Sequence, residues 1–300
     1  MTDTLNVDGR RDALPVELTV GPRLRPLGGL TVNRVWPTAR RRLIGPFVFF
    51  DHIQRAELAP GMGLDVPPHP HIGLATVTYL FEGAVLHRDS LGMAQVIKPG
   101  ELNWMTAGRG ITHSERSPAD ERARLSYVHG IQAWVALPRE DEEMAPRFEH
   151  YGIDQVPVVD VAKARLRVIA GAAFGALSPV RTCSELFYVD ADLAAGASLD
   201  LDPALGERAA YIVSGRVVVG AVEYEAGRLL VFRNGMEVQI HAPEQAKLML
   251  FGGDPLDGER YIWWNFVSSY GGRIEMEKRD WQAGRFGAVP NDDESMPLPE

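Results

Sequence analysis

Short runs of β-branched, aromatic or alternating residues, separated by turns that contain glycine or proline, dominate the chain. Thr76–Phe81 is one such run; Glu82-Gly83 ends it, and Ala84–Arg88 begins the next. β-branched and aromatic residues between such turns favour strands. Short strands and turns that alternate this regularly predict an all-β sandwich or barrel.

The same strand and turn pattern occurs twice. Phe81–Val85 resembles Val213–Val217, and Pro99–Leu102 resembles Ala226–Leu229. Self-similarity of this kind is typical of a duplicated structural unit, so we expect two copies of one β-unit. The expected division is an N-terminal barrel over residues 1–140, a linker over 141–165, a C-terminal barrel over 166–289 and a disordered, acidic tail over 290–300.

Two pairs of possible metal ligands lie in the first copy, each at spacing i, i+2. The first pair is His69 and His71, in a Pro-His-Pro-His run, and the second is His113 and Glu115. Alternate side chains of a strand point to the same face, and neighbouring strands lie about 5 Å apart. If both segments are adjacent strands, these four side chains converge on one metal ion.

The second copy lacks these ligands. Alignment on the shared glycines puts Leu201 and Pro203 at the positions of the first pair, and Ile240 and Ala242 at those of the second. The sequence therefore predicts one metal site, in the N-terminal copy. Three other histidines have no partner at a useful spacing, and we expect no direct function for them: His52, His87 and His129.

Composition and charge narrow the class of protein. The net charge is −9, which argues against a surface for direct nucleic-acid binding. Cys183 is the only cysteine, which suits a reducing compartment. Met1–Arg11 has no apolar signal core, and no apolar run approaches the ~18 residues of a membrane span. We therefore expect a cytoplasmic protein without membrane contact.

The motifs together resemble the pirin family of the cupin superfamily. The most specific block is Trp104–Glu115, and His69–Gly73, Gly45–His52 and His87–Gly92 also match. The resemblance implies a bicupin: two antiparallel β-barrels of the double-stranded β-helix type, with short helices. It also implies iron in the first barrel, with the family's ligand positions on His69, His71, His113 and Glu115.

The chain departs from the family at two positions beside the ligands. Ile72 and Ala75 stand where pirins usually carry Arg and Glu. The motif glutamate is a metal ligand in many cupins but not in pirins, so its loss need not abolish metal binding. We expect the departures to make the region near the metal less polar.

Three imidazoles and one carboxylate suit Fe, Mn, Ni, Co, Cu or Zn, and the ligand types alone do not choose among them. We favour Fe(II), partly from the resemblance. Some pirins resemble quercetin 2,3-dioxygenases in activity, and others act as nuclear cofactors of transcription.

Two hypotheses for function remain open at the level of sequence. In the first, the chain is a dioxygenase that combines O₂ with a small aromatic substrate, a quercetin-like flavonol or a related enol or catechol. Glu115 would then be both ligand and general base. The expected apolar walls of the substrate pocket are Phe47, Phe49, Tyr79 and Met105. In the second hypothesis, the chain is a non-enzymatic, iron-dependent regulator that acts through a protein partner.

Overall fold

The computed structural model describes residues 14–299, and strands dominate it. The strands are β1 (Val16–Val20), β2 (Arg23–Leu27), β3 (Leu30–Trp36), β4 (Phe47–Leu58), β5 (Asp65–His71), β6 (Leu74–Glu82), β7 (Val85–Asp89), β8 (Ala94–Ile97), β9 (Leu102–Thr106), β10 (Ile111–Arg116), β11 (Ser126–Ala136), β12 (Arg147–Tyr151), β13 (Val158–Val161), β14 (Ala164–Ala173), β15 (Ala176–Leu177), β16 (Leu186–Leu193), β17 (Ala197–Leu201), β18 (Glu207–Ser214), β19 (Arg216–Val219), β20 (Val222–Glu225), β21 (Leu229–Phe232), β22 (Val238–Ala242), β23 (Ala246–Gly253), β24 (Tyr261–Trp263) and β25 (Phe266–Ser268). The helices are α1 (Ala119–Arg122) and α2 (Gly271–Gln282), with 3₁₀ turns at Arg139–Asp141, Ile153–Gln155 and Pro203–Leu205. Among residues 14–299, no helix combines the length and the apolar character needed to cross a membrane.

Two antiparallel sheets form the first barrel. One has the order β12-β9-β6-β11-β4-β3-β2, and the other has the order β5-β10-β7-β8. Buried side chains from both sheets pack together in the interior, among them Val32, Leu80 and Val85. His69, His71 and His113 are also buried, on β5 and β10 of the smaller sheet.

The second barrel repeats this plan. Its large sheet has the order β1-β21-β18-β23-β16-β14-β13, with β15 beside β14, and its small sheet has the order β17-β22-β19-β20. Its interior is filled by aliphatic and aromatic side chains such as Leu166, Leu199 and Ile240. The predicted fold class, an all-β bicupin of two antiparallel barrels, is confirmed.

The large sheets of the two barrels pack against each other through one apolar core. From β4, Phe47 and Phe50 enter this core and contact Phe251 of β23 at ring-centroid distances of 5.0 and 4.9 Å. Tyr188 and Tyr211 lie in the same core and are fully buried. Because aromatic side chains bury large apolar areas, this shared core stabilises the packing of the two barrels against each other.

Two segments lie across the expected division of the chain. β1 pairs with β21 and so extends the sheet of the second barrel. Near the other terminus, Asp292 accepts two hydrogen bonds from Arg116, and the backbone N–H of Met296 donates to Pro68. Acidic composition favoured disorder after residue 290, yet this segment contacts the first barrel. The expected start at residue 1 and the last tail residue lie outside the described residues, and the domain boundaries stay a prediction.

Candidate metal centre

Three histidine side chains meet inside the first barrel, where β5 pairs with β10. His69 lies directly opposite His113, and His71 is two residues further along β5. The ring centroids lie 5.0 Å apart for His69 and His71, 4.4 Å for His69 and His113, and 5.0 Å for His71 and His113. β5 is an edge strand, which tolerates Pro68 and Pro70 because an edge strand leaves some backbone positions unpaired. The register therefore brings the two sequence motifs together.

Burial keeps these three imidazoles neutral. Loss of solvation lowers the pKa of His69 to about 4 and lowers the pKa values of His71 and His113 well below 6.5. Nδ1 of His69 lies 2.9 Å from the backbone oxygen of Pro67, to which it donates as the N–H tautomer. A neutral ring that donates from Nδ1 carries its lone pair on Nε2, which is the form that a metal ion requires.

Two buried ring nitrogens in this group have no hydrogen-bond partner among the described residues: Nδ1 of His71 and Nε2 of His113. An unpaired buried polar atom costs about 1–3 kcal/mol, so proteins seldom leave two together. One nitrogen from each of the three rings lies within 4.8 Å of those of the other two. These residues fit a divalent transition metal, and the cluster of His69, His71 and His113 can bind one.

Glu115 lies in the same cavity but outside the group of three rings. The pairing of β5 and β10 shifts between His113 and Glu115, which places Glu115 opposite Val66. Its Oε1 lies 3.2 Å from Oγ1 of Thr78, which donates to it. Burial raises the pKa of Glu115, while the hydrogen bond from Thr78 acts to lower it. The structure thus places the carboxylate beside the histidines, and its role as a fourth ligand stays a prediction.

A second layer of polar groups, which the sequence analysis missed, supports His113. Nδ1 of His87 lies 3.3 Å from Nδ1 of His113, and Nε2 of His87 lies 3.0 Å from Oδ2 of Asp89. Oδ1 of Asp89 accepts backbone hydrogen bonds from Leu91 and Met93, so the carboxylate is held in place. The signal in the sequence was the spacing of His87 and Asp89 at i, i+2, facing inward on one strand.

Asp89 determines where the protons lie in this chain of groups. A carboxylate can only accept, so Nε2 of His87 carries a hydrogen, and in the neutral ring Nδ1 of His87 is then an acceptor. Nδ1 of His113 then donates to it, which leaves the lone pair of His113 on the buried, unpartnered Nε2. This tautomer assignment follows from the hydrogen-bond network. It prepares His113 to bind a metal ion.

A cavity of about 560 Å³ opens beside the histidines and is lined by His69, His71 and Glu115. Its aromatic wall is formed by Trp134 and Phe49, whose rings stack with centroids 3.9 Å apart. Trp134 also contacts His71 edge-on, at a centroid distance of 5.1 Å. A flat aromatic ligand fits against a wall of this kind.

Of the four residues expected on the apolar walls, Phe49 lines the cavity and Phe47 lies elsewhere. Trp134 pairs with Phe49, but the next residue, Val135, pairs with Phe47, so Val48 is an extra residue in β4. A bulge of this kind shifts the alternation of side chains. Phe47 therefore points into the core between the barrels, although its spacing from Phe49 predicted the same face.

Tyr79 and Met105 also lie away from this cavity. Tyr79 alternates with Thr78 on β6 and points the other way, where its hydroxyl donates to Asp190 of the second barrel at 2.8 Å. Met105 packs with Phe148 and Ile111 in a small separate cluster. Sequence reasoning missed Trp134, which stands two residues after Gln132 on the inward face of β11.

The side chains of Ile72 and Ala75, the two departures from the family, lie outside the lining of the cavity, and their effect on the polarity near the metal stays a prediction. Ile72 packs with Phe266 and with Ile274 of α2. Ala75 is fully buried in the core between the barrels. Neither side chain lines the cavity that holds His69 and His71.

The second barrel has apolar residues at the positions of the ligands. Ile240 pairs with Leu199, as His113 pairs with His69, so Leu199 and Leu201 are the structural counterparts of the first histidine pair. Sequence alignment placed these counterparts two residues later. The connection after Leu201 contains the 3₁₀ turn Pro203–Leu205, which makes it longer than the one after His71. Among the described residues, the group of side chains that could hold a metal ion lies in the first barrel alone.

The chain is similar to known proteins over nearly its whole length. A family model described as Pirin matches residues 29–135, and one described as Pirin C-terminal cupin domain matches residues 188–287. A Pirin-like protein of Caulobacter vibrioides is 48% identical over 290 residues, which cover 95% of this chain and 100% of that protein. Pirin of Homo sapiens is 32% identical over 236 residues, which cover 76% of this chain and 78% of that protein.

A solved structure agrees with these matches. The crystal structure of a quercetin 2,3-dioxygenase from Acinetobacter baumannii superimposes with a TM-score of 0.87 at 32% identity, over 94% of this chain and 95% of that one. The matched family models, the strand order of both barrels and the three-histidine cluster in the first barrel lead to one assignment. The chain belongs to the pirin family.

Proposed function

We propose that the chain is an Fe(II)-dependent dioxygenase that acts on a quercetin-like flavonol or a related enol or catechol. The observation that carries the proposal is the cluster of three neutral, buried histidines beside Glu115, opening on a cavity with a stacked aromatic wall. The similarity to the Acinetobacter baumannii quercetin 2,3-dioxygenase supports it. Three histidines and a carboxylate leave two positions free on a six-coordinate ion, enough for substrate and O₂.

In this proposal His69, His71, His113 and Glu115 hold the metal. When bound, Fe(II) would supply the redox chemistry that joins the substrate to O₂. Mn, Ni, Co, Cu and Zn suit the same ligand types, so the identity of the bound metal is determined by metal analysis of the purified protein.

The other residues of the cavity bind and orient the substrate. Phe49 and Trp134 present a stacked aromatic surface against which a planar ring can lie. Glu115 faces the same cavity and would accept the proton of the substrate hydroxyl, while Thr78 holds its carboxylate. Met296 and Trp264 cover part of the cavity and would limit the entry of water.

Metal analysis and oxygen consumption test the proposal. Protein purified without chelator should contain close to one metal ion per chain, and His113→Ala should lose it. His241→Ala is the matched control, because His241 lies in the second barrel and contacts Ser198. Equal metal content in wild type and His113→Ala would refute the site.

Iron-loaded protein should consume O₂ when a flavonol is added. No uptake across a panel of flavonols and catechols, with metal still bound, would reject the dioxygenase. The remaining candidate would then be an iron-dependent regulator that acts through a protein partner.

A further inference from the structure

A row of polar side chains crosses the large sheet of the first barrel, from Glu115 to the mouth of the cavity. Thr78 of β6 donates a hydrogen bond to Glu115. Across the strands, Thr78 lies opposite Gln132 of β11, and Gln132 lies opposite Asp51 of β4. From Asp51 the row continues through its cross-strand partner Arg34 to Arg23 at the rim. Residues paired across strands share one face of the sheet. The row therefore lies on the face that the metal cluster faces.

The positive charges at the end of this row exceed the negative ones. Asp51 accepts two hydrogen bonds from Arg34, at 3.0 and 2.9 Å, so these two charges are paired. Arg23 lies directly opposite Arg34, and Arg25 is two residues along the same strand. Like charges placed opposite each other repel unless a counterion lies between them. One buried carboxylate thus faces three guanidinium groups.

Arg23 and Arg25 are exposed and make no ion pair within residues 14–299. Arg23 donates to the backbone oxygen of Pro37, and Nη1 of Arg25 donates to that of Leu24 at 3.1 Å. Both side chains line the same cavity as His69. In a chain of net charge −9, two arginines at the mouth of the cavity that have no ion-pair partner among residues 14–299 form a local positive patch.

An aromatic surface connects the histidine cluster to these arginines. Trp134 contacts His71, Phe49 stacks on Trp134, and the guanidinium of Arg34 lies over the Phe49 ring at 4.6 Å. A planar molecule longer than a single ring can lie along this surface. Its far end would lie at the arginines.

We propose that Arg23 and Arg25 form an anion subsite for a carboxylate at the far end of an elongated planar substrate. The near end of that substrate is held at the histidine cluster, so this inference rests on the proposed function. Arginine binds carboxylates through two parallel hydrogen bonds, which are stronger than those between neutral groups. The substrate class is therefore an aromatic enol or flavonol that carries a carboxylate.

A matched ligand pair tests this subsite without turnover. The two probes are 3-hydroxyflavone-4′-carboxylate and 3-hydroxyflavone-4′-carboxamide, titrated into Fe(II)-loaded protein under anaerobic conditions and followed by flavonol absorbance. The carboxylate should bind about tenfold more tightly than the carboxamide, since a charge-assisted contact replaces a neutral one. This advantage should shrink as salt concentration rises, because both arginines are exposed.

The double variant Arg23→Gln/Arg25→Gln should remove the advantage and leave the Kd of the carboxamide within about twofold of wild type. Arg216→Gln is the control, because Arg216 is a surface arginine of the second barrel that pairs with Glu223 and Glu244. Metal content of each variant reports that the first barrel is folded.

Equal Kd values for the two probes, or an advantage that persists in the double variant, would overturn the anion subsite while flavonol binding at the metal stands. Failure of both probes to bind would instead reject the proposed function, and with it the subsite that depends on it.

Discussion

Nδ1 of His87 lies 3.3 Å from Nδ1 of His113, and this contact links a ring of the metal cluster to the buried carboxylate of Asp89. His87→Ala removes the acceptor, so the ring of His113 loses its orientation. We expect metal affinity to fall about 10- to 100-fold, as for other residues that orient metal ligands. Competition with a chromogenic chelator measures this, with His241→Ala as the control. Unchanged affinity would mean that the contact does not orient His113.

Asp89→Asn tests the direction of the protons in the same chain of groups. An asparagine NH₂ that faces His87 donates to Nε2, which moves the hydrogen of His87 to Nδ1. His113 must then accept at Nδ1 and carry its own hydrogen on Nε2, where the metal should bind. We expect Asp89→Asn to weaken metal binding as much as His87→Ala, although the change in volume is small. An Asn variant with wild-type affinity would contradict the tautomer assignment.

Phe49 and Phe47 form a matched pair of variants for the cavity. Phe49→Ala removes one ring of the aromatic wall, so we expect the Kd of a flavonol to rise about tenfold. Phe47→Ala leaves that wall intact but opens a hole between the barrels, so the free energy of unfolding should fall by about 3–5 kcal/mol. Flavonol titration and urea unfolding separate the two effects. The interpretation fails if both variants change flavonol binding equally.

His52 makes stability depend on pH. Its Nδ1 lies 2.8 Å from the hydroxyl of Tyr211, and burial lowers the pKa of His52 to about 3, with a smaller effect from His129. Between pH 6.5 and 3 the unfolded chain binds a proton at this position and the folded chain does not. The stability that neutral His52 contributes is complete above pH 6.5 and is lost as pH falls, at up to about 1.4 kcal/mol per unit.

The measurement is the difference in unfolding free energy between wild type and His52→Asn, at pH 7 and at pH 5. Both proteins have the same metal ligands, so the contribution of ligand protonation to the unfolding free energy cancels in this difference. We expect the difference, wild type minus variant, to decrease toward the acid side by about 1–2 kcal/mol. Parallel pH dependence in the two proteins would show that His52 does not contribute.

Deletion of residues 290–300 should speed metal release. Asp292 binds Arg116, and Met296 lines the cavity and is held by hydrogen bonds to Pro68 and Trp281. Without this segment, a chelator reaches the histidines more easily, and we expect a faster first-order rate of metal loss. Asp292→Asn should increase the rate of metal loss by less, because the hydrogen bonds of Met296 with Pro68 and Trp281 remain. Equal release rates in all three proteins would mean that the segment does not cover the site.

The strands and the first histidine pair could be predicted because both depend on short-range patterns. Strand alternation places His69 and His71 on one face, whereas the meeting with His113 also required β5 and β10 to be neighbours, which the resemblance to the family implied. Two sequence-based expectations, the position of Phe47 in the cavity wall and the counterparts of the ligands in the second barrel, differ from the structure because of local irregularities. The bulge at Val48 turned Phe47 away from the cavity, and the turn at Pro203–Leu205 moved the counterparts of the ligands by two residues.

The polar row from Thr78 to Arg23 was invisible in the sequence for a different reason. Its members come from five strands, and each lies next to its neighbour only through cross-strand register; Gln132 of β11 pairs with Thr78 of β6 and with Asp51 of β4, both far from it in the chain. A sequence contains the alternation of each strand but not the alignment between strands. Trp134 and Asp51 were missed in the same way.

The pairing of β1 with β21 has a consequence for how this chain can be divided. The beginning of the chain completes the sheet of the barrel that follows, and its end, at Asp292 and Met296, covers the barrel that precedes. The second barrel thus includes β1, which precedes the first barrel in the chain, and the first barrel is contacted by the segment around Asp292 and Met296, which follows the second. A cut near residue 140 would separate the second barrel from β1 and the first barrel from the segment of Asp292 and Met296, so we expect neither half to keep all of its contacts when expressed alone.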